Sequence, residues 1–500
     1  MGNECPERIA LLRFSGEFTT KARATRLQFR RRLFENLRDA LSNAGLEPQL
    51  EIHHTRIYVQ LPESHAVPDP TDHPLARVYG IQSVSFGERY AVDAVDAVVE
   101  IGERIFRDRV RGKRFAVRAR RVGDRVPPGL RRQPVEVELG TRLLPDSAGV
   151  DLSHPEVTVH IELSETGACF FSDVIQGPAG LPLGVEGRAV ALVSGGFDSA
   201  VAAWQLQRRG VEMEFVFCNL GGPTHLAGTL RVIKCLADRW CYGSSPGLHV
   251  IDFEPVTVAI REHTTMRYWQ LLLKRMMLRA GERIARLKGA AAIVTGDAVG
   301  QVSSQTLTNL AVVSRATDTP ILRPLVALHK EEIIDLATHI GTFELSKVVA
   351  EYCAMVPTKP ATRASREIVE AEETRLPPDL LDRVLETRTV FDLRSFDIER
   401  LDLDTPAISK LPPGAVLIDL RPLAQYRTEH HPEALHLEYA QAVEALANLD
   451  RGRVYVLSCE FGLMSAHLAE QMRREGFEAF HFTGGQRALM QRVEAQPASR

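Results

Sequence analysis

The stretch from Ala189 to Ser199, which reads AVALVSGGFDS, constrains this chain more than any other. Ala189 to Val193 is an apolar run of strand length, and Ala200 to Arg209, closed by Gly210, carries a helical pattern. The turn between them is suited to cradling phosphate. Gly195 and Gly196 let the backbone come close to a ligand, and the amides that open the helix point at whatever anion sits there. Ser194 and Ser199 add hydroxyl donors, and Asp198 can hold Mg²⁺ on the phosphates.

A doubly wound parallel sheet places its ligands at the carboxyl ends of its strands, and the surrounding chain alternates as such a sheet requires. Between Arg188 and about Asp397, further strands are expected at Glu212 to Cys218, Leu248 to Phe253 and Ala291 to Thr295. At their ends stand Asn219 to Gly222, Thr295 to Ala298 and Gly300 to Gln305. Lys274, in the helical segment LLLKRMM, and Lys330, in the turn LHKEE that opens a helix, could each neutralise phosphate charge in a transition state. Read alone, each is more often an ordinary surface lysine. Two better-known phosphate loops are absent, because neither G-x-x-x-x-G-K-[ST] nor a G-x-G-x-x-G that opens a dinucleotide fold occurs. SGGFDS instead resembles the PP-loop of ATP pyrophosphatases, which adenylate a substrate and release pyrophosphate.

At 500 residues the chain is too long for one core and calls for about three or four domains. No apolar run approaches the roughly eighteen residues of a membrane span, and Met1 to Glu7 has no signal-peptide layout. A cytoplasmic protein with no membrane attachment is expected. The net charge of −3 conceals two basic runs. Lys21 to Arg32 holds six basic residues and no acid, and Arg104 to Arg121 holds nine against Asp108. Such runs on a near-neutral protein suit an RNA or DNA face, the alternative being solvated arginine-rich helix faces. Seven cysteines, an odd number without C-x-x-C pairing, argue against a disulfide scaffold and a zinc site. Cys169, Cys218 and Cys235 read as small buried hydrophobes. His53-His54 and His430-His431 lack partners at ligand spacing.

The N-terminal part reads as a small α+β unit. Its strands are Ile9 to Phe14 and Arg56 to Leu61, and its helix, Ala24 to Leu41, carries Phe29, Leu33, Leu37 and Leu41 on one stripe. A Pro-rich linker, Pro62 to Pro74, leads to a helix at Val92 to Val110 and strands at Arg114 to Arg121, Val157 to Leu163 and Ala168 to Val174. In the first of these strands Phe115, Val117 and Ala119 share one face, which leaves Arg118 and Arg120 on the face that can meet phosphates. Gly177 to Gly184 marks a boundary before the phosphate loop.

Near the C-terminus, strands at Ala415 to Asp419 and Val454 to Ser458 precede the loop Cys459 to Ser465, and a helix follows. Loop amides converging on a sulfur so placed, with a helix N-terminus behind it, stabilise a thiolate or persulfide; the alternative is an inert thiol at a strand end. C-x5-S between strand and helix, with Asp419-Leu-Arg421 ending an earlier strand, resembles a rhodanese active-site domain. Cys353, in EYCAMVPTKP, lies where two prolines keep the chain extended, and is either a thiol able to attack a persulfide or an inert one.

Taken in order, Gly16 to Leu27 (GEFTTKARATRL), the basic strand region, SGGFDS, Gly300 to Asn309 (GQVSSQTLTN), EYC ending at Cys353 and the Cys459 loop resemble the ThiI family of tRNA 4-thiouridine sulfurtransferases. The form resembled carries a C-terminal rhodanese domain, and the likeness spans essentially the whole chain. The PP-loop is shared by many adenylating enzymes; its combination with THUMP and rhodanese features is far more specific. The resemblance implies a multidomain α/β and α+β fold. Its expected parts are a ferredoxin-like domain over 1–74, a THUMP RNA-binding domain over 75–176, a doubly wound parallel-sheet PP-loop domain over 177–397, a linker over 398–411 and a small α/β rhodanese-like sulfur carrier over 412–500.

The same resemblance implies ATP and Mg²⁺ as cofactors, with the metal held through ATP near Asp198 rather than in a protein cage. Leu192, Val193, Ser194, Gly195, Gly196, Ser199, Lys274, Gly296 and Gln305 would line the nucleotide site. Asp198 and Lys330 would support adenylation of O4 of a uridine near the acceptor stem. Lys21, Arg23, Arg26, Arg114, Arg118 and Arg120 would grip tRNA. Cys459 would receive sulfane sulfur from a cysteine desulfurase, with Cys353 as its disulfide partner. Further implied partners are a thiamine-pathway sulfur-carrier protein and a second copy of the chain, paired through the N-terminal regions. Phe461 stands where a basic or polar residue is more usual, which counts against free thiosulfate as donor and leaves protein-delivered sulfur. Two other readings remain: another PP-loop RNA-modifying enzyme, thiolating elsewhere or attaching lysine, and a noncatalytic tRNA-binding sulfur relay. The Cys459 loop argues against lysine attachment, and an intact Ser194 to Ser199 loop argues against a degenerate site.

Overall fold

The computed structural model describes residues 6–47, 49–53, 55–347, 349, 360–398, 406–460, 462–483 and 485–494. The chain divides into two compact units, one of residues 1–186, 207–211 and 239–244, the other of 187–206, 212–238 and 245–500.

The first unit is built on one sheet. Its strands are β1 (Glu7–Phe14), β2 (Leu50–His53), β3 (Arg56–Gln60), β4 (Ile81–Tyr90), β5 (Arg114–Arg121), β6 (Gly149–Val150), β7 (Val157–Ser164), β8 (Gly167–Phe171) and β9 (Ile175–Gln176). They run in the order β2-β3-β1-β4-β8-β7-β5-β6, with β9 on β4. The strand β4, absent from the sequence reading, joins the two halves by pairing antiparallel with β1 along one edge and with β8 along the other. Its alternation is hard to read because Ser83 and Ser85 occupy inward-facing positions and are buried, as Val84 is on the opposite face. The helix Arg23–Asn43 buries the expected stripe of Phe29, Leu33, Leu37 and Leu41, the last three packing with Ala10, Leu12, Ile57 and Val59. The helices Val95–Val110 and Arg132–Leu143 cover the other half through Val98, Phe106 and Leu139 against Phe115 and Ile161.

The buried serines have a purpose. Arg13 on β1 donates to Ser85 at 3.0 Å, lies 5.0 Å from the centre of the Phe171 ring, and reaches the buried carboxylate of Glu162 on β7 at 3.0 Å. Arg56 on β3 donates to the same carboxylate at 2.9 Å. One acid therefore neutralises two arginines drawn from the far half of the sheet.

The second unit holds the phosphate loop. Its main sheet comprises β10 (Arg188–Val193), β11 (Glu212–Asn219), β12 (Gly247–Asp252), β13 (Ala292–Val294), β14 (Ile321–Leu322) and β15 (Thr389–Asp392), in the order β14-β13-β10-β11-β12-β15. The first five are parallel and β15 closes one edge antiparallel. The chain runs outward from β10 to β12 and then crosses back to place β13 on the other side of β10. This reversal opens a crevice at the carboxyl ends of β10 and β13, where ligands of doubly wound sheets bind. The helix Trp269–Lys288 packs Leu271, Leu272, Met276 and Ile284 against Val190, Val216 and Ile293.

A smaller, all-parallel sheet follows, with β16 (Ala407–Ile408), β17 (Val416–Asp419), β18 (Leu435–His436), β19 (Val454–Ser458) and β20 (Glu478–Phe482) in the order β16-β20-β19-β17-β18. The pairing of β16 with β20 draws residues 407 and 408, read from sequence as linker, into this sheet. Two residues are too few to display a strand period. No helix among the described residues is long and apolar enough to cross a membrane.

Replacing Glu162 with Ala strands the Arg13 and Arg56 guanidinium groups, and we expect a loss of about 3 kcal/mol in stability. Urea unfolding followed at the first unit's tyrosines would show it, whereas an unchanged midpoint would mean that the two arginines find water.

Candidate active site

β10 ends at Val193, and the helix Phe197–Gln207 begins at Phe197 rather than at the expected Ala200. Asp198 and Ser199 therefore stand in the first turn, where an acid is favoured by the helix dipole. Gly195 has φ +80°, the left-handed region, and a Cβ there would lie 2.7 Å from Thr229 Oγ1. At Gly196, among the described residues, a Cβ would meet Ser194 Oγ at 3.6 Å and nothing nearer, so the space over the loop is open. Val193 is buried and Leu192 is half-buried against the core, so these two hold the strand end in place. Ser199 Oγ donates to the Gly196 carbonyl at 3.1 Å and closes the turn.

The loop is braced from behind by a residue the sequence reading missed. His225 Nε2 lies 2.9 Å from the Ser194 carbonyl, which can only accept, so that nitrogen carries the proton. Burial lowers the pKa of this imidazole, against the opposing effect of that hydrogen bond.

Lys330 opens the helix Lys330–Ile340, whose start is fixed by a capping box between His329 and Glu332. Its Nζ lies 3.3 Å from both carboxylate oxygens of Asp198 and 4.2 Å from the centre of the Phe197 ring. Gln301 Nε2 donates to Asp198 Oδ2 at 3.4 Å. Asp198 and Lys330, far apart in sequence, are thus brought together.

Lys274 and Gln305 converge on Asp297, an acid the sequence analysis passed over inside Thr295 to Ala298. Asp297 Oδ1 is 2.9 Å from Lys274 Nζ and accepts from Gln305 Nε2 at 3.3 Å. Asp297 Oδ2 accepts from Thr295 Oγ1 at 2.8 Å and from Arg323 Nε at 3.3 Å. Burial alone would push this carboxyl up, but Lys274, Thr295 and Arg323 together hold it down to about 2. Gln305 Oε1 is buried and accepts no hydrogen bond among the described residues. Gly296 ties this cluster to the loop, since a Cβ there would stand 2.8 Å from the Asp198 carbonyl carbon and 2.9 Å from the Ser199 nitrogen.

In the smaller sheet, Cys459 follows β19 and is buried, with the helix Leu463–Arg474 beginning four residues on. Ser465 N donates to its sulfur at 3.4 Å, and Ser465 Oγ lies 3.4 Å from the sulfur. Asp419 and Arg421 pair with each other at 2.8 Å in the buried floor of this site, and Arg421 is 3.8 Å from Glu460. Cys353 and Phe461 lie outside the described residues.

The basic residues of the first unit divide by partner. Arg23 and Arg26 are exposed on the helix Arg23–Asn43, and Arg120 is exposed on β5, with no ion pair among the described residues. Lys21 lies 6.0 Å from the centre of the Phe29 ring. Arg114 is 3.8 Å from Asp151 and Arg118 donates to the Leu152 carbonyl at 2.9 Å. Arg32, within the first basic run, donates instead to the carbonyls of Leu183 and Gly243, at 2.8 and 2.7 Å, so its charge serves the fold.

The fold and the site define a class: a PP-loop protein whose chain also carries a ferredoxin-like and THUMP region and a rhodanese-like module. Residues 9–85 match the ThiI ferredoxin-like domain, 93–173 the THUMP domain, 184–377 the family described as thiamine biosynthesis protein (ThiI) and 407–491 the rhodanese-like domain. The tRNA sulfurtransferase of Pyrobaculum aerophilum is 37% identical over 93% of this chain and 94% of its own length. That of Marinobacter nauticus is 36% identical over 93% of this chain and 97% of its own. Among solved structures, a 4-thiouridine synthetase in complex with RNA and bound ATP is 27% identical, with a TM-score of 0.67, over 77% of this chain and 99% of that one. The chain belongs to the tRNA sulfurtransferase (ThiI) family.

The Asp297 carboxyl is held at about 2 against an ordinary value of 3.8, so its contribution to stability is fully present above the ordinary value and is lost as pH falls through about 2. We expect Asp297→Asn to be less stable than the parent by on the order of 2 kcal/mol at neutral pH. The gap should narrow only below the ordinary value when urea midpoints are compared across an acid series.

Proposed function

We propose that the chain is an ATP-dependent tRNA sulfurtransferase that converts a uridine to 4-thiouridine. The observation that carries this reading is the contiguity of the site: an open glycine cradle, the Asp198–Lys330 pair and the Asp297-held Lys274 all adjoin the carboxyl ends of β10 and β13. The relative whose structure was solved with RNA and ATP supports both ligands. The open space at Gly196 and the unfilled acceptor Gln305 Oε1 fit a nucleotide. Mg²⁺ would rest on the phosphates with Asp198 beside it.

ATP supplies the adenylyl group that turns the uridine O4 into a good leaving group, with release of pyrophosphate. The amides of residues 195–199 and the hydroxyls of Ser194 and Ser199 hold phosphate, while Lys330 and Lys274 offset developing negative charge. Lys330 can leave Asp198 for phosphate because that pair is half-exposed. Lys274 is held in place by Asp297. Leu192, Val193 and Gly296 shape the cradle.

Cys459 carries the sulfur. A cysteine desulfurase transfers sulfane sulfur to it, and the Ser465 amide and the helix N-terminus stabilise the persulfide anion. The terminal sulfur attacks C4 of the uridine, and AMP departs with the former O4. The Cys353 thiolate then attacks the Cys459 sulfur, which breaks the S–S bond, leaves the thione on the base and forms a Cys353–Cys459 disulfide. A reductant reopens it. Within this reading Lys21, Arg23, Arg26, Arg114, Arg118 and Arg120 contact tRNA, a thiamine-pathway sulfur carrier draws on the same persulfide, and the chain pairs through its N-terminal regions. The domain limits 1–74, 75–176, 177–397 and 412–500 belong to the same proposal.

The test is thiouridine formation in an unmodified tRNA transcript with cysteine desulfurase, cysteine, ATP and Mg²⁺. We expect product that needs ATP, disappears with a chelator and is abolished in Cys459→Ala. Lys330→Ala should lower AMP release about 100-fold. Product that survives Cys459→Ala would move sulfur delivery elsewhere, and bound ATP without product would indicate a different reaction on RNA.

A further inference from the structure

The helix that follows the sulfur loop meets the phosphate-binding domain along one face. His467, Glu470 and Arg474 are three and four residues apart on Leu463–Arg474, so they form a single stripe. The carboxylate of Glu470 is buried, and its Oε1 accepts from the Thr224 backbone N–H at 3.2 Å and from the Thr224 hydroxyl. Arg474 and Glu470 also close over Gly222, where a Cβ would come within 2.8 Å of Arg474 Nη2 and 3.3 Å of Glu470 Oε2.

Gly222 and Thr224 open the helix Gly222–Trp240, whose first turn contains no acidic residue of its own. The first N–H groups of a helix need outside acceptors and favour negative charge. Glu470 meets that need from a different domain. The next residue, His225, is the one that donates to the Ser194 carbonyl at the start of the phosphate loop. A continuous path of contacts thus runs from the helix behind Cys459, through Glu470, Thr224 and His225, to Ser194.

We propose that the Glu470–Thr224 contact is a docking latch that seats the sulfur-carrying module against the phosphate loop, making Glu470 and Thr224 positioning residues for sulfur transfer. The proposal rests on the reading of Cys459 as sulfur carrier and goes beyond it by naming what aligns the carrier with the site it serves. Neither side chain takes part in the chemistry, so loading of Cys459 and use of ATP do not depend on the latch. Delivery does.

The experiment uses the full chain. Cys459 is loaded by a cysteine desulfurase, the persulfide is quantified by alkylation and mass spectrometry, and a single turnover is started with ATP and tRNA transcript. Glu470→Ala and Thr224→Val should load to the parental level and bind ATP as the parent does, yet transfer sulfur at least tenfold more slowly. Thr224→Ser, which keeps the hydroxyl, should restore the parental rate. The double variant should be no slower than Glu470→Ala alone, because loss of the carboxylate already removes both hydrogen bonds that Thr224 donates to it. Parental transfer rates in Glu470→Ala and Thr224→Val would overturn the latch while leaving the function intact. Equal loss of loading and transfer would overturn it too, since that marks damage to the module rather than to its docking. Absence of thiouridine from the parent itself would instead overturn the reading of function on which the latch rests.

Discussion

A phosphate cradle needs backbone amides that face outward with no side chain over them, at a place where the sheet leaves a crevice. Both conditions meet at the end of β10, and much of the second unit follows from them. Gly195 takes the left-handed conformation, Gly196 leaves the space above the loop open, and the return of the chain to β13 opens the crevice. Gly296 is required for the same reason at one remove. It follows the neighbouring strand β13 so close to the Asp198 and Ser199 backbone that any side chain would push the loop away.

Charge is managed around the cradle by two different means. Asp198 and Lys330 are partly exposed, and an exposed pair contributes little to stability, so it can be exchanged for a ligand. Asp297 is only partly exposed and holds Lys274, Arg323, Thr295 and Gln305 at once. The first pair is available; the second is a scaffold that keeps a positive charge pointed at the crevice. His225 and Thr224 extend this scaffold behind the loop, and through Glu470 it reaches the module that bears Cys459.

How much of this was legible in the chain depended on length and regularity. The strands β5, β10, β11 and β19 show uninterrupted apolar or alternating runs and stand close to where the pattern put them. β4 hides because its inward serines look like surface residues, and they are buried for the sake of Arg13, which lies on another strand. β16 and β18 hold two residues each and have no period to read. Lys274, Lys330 and Gln305 could be singled out by motif, yet Asp297 and His225 could not, because an acid after a strand and a histidine in a helix become distinctive only when their partners arrive from elsewhere.

The sequence by itself determined the chemistry available: a glycine-rich strand–turn–helix, a cysteine between strand and helix, and arginines on one face of a strand. These are local patterns, and neighbours along the chain are enough to write them. Tertiary structure alone decided which charges are spent on the fold and which stay available. Arg32 donates to two backbone carbonyls while Arg23 and Arg26 remain exposed, and Glu470 caps a helix more than two hundred residues away in the chain. Those outcomes depend on burial and on hydrogen bonds between distant segments, which no local pattern encodes.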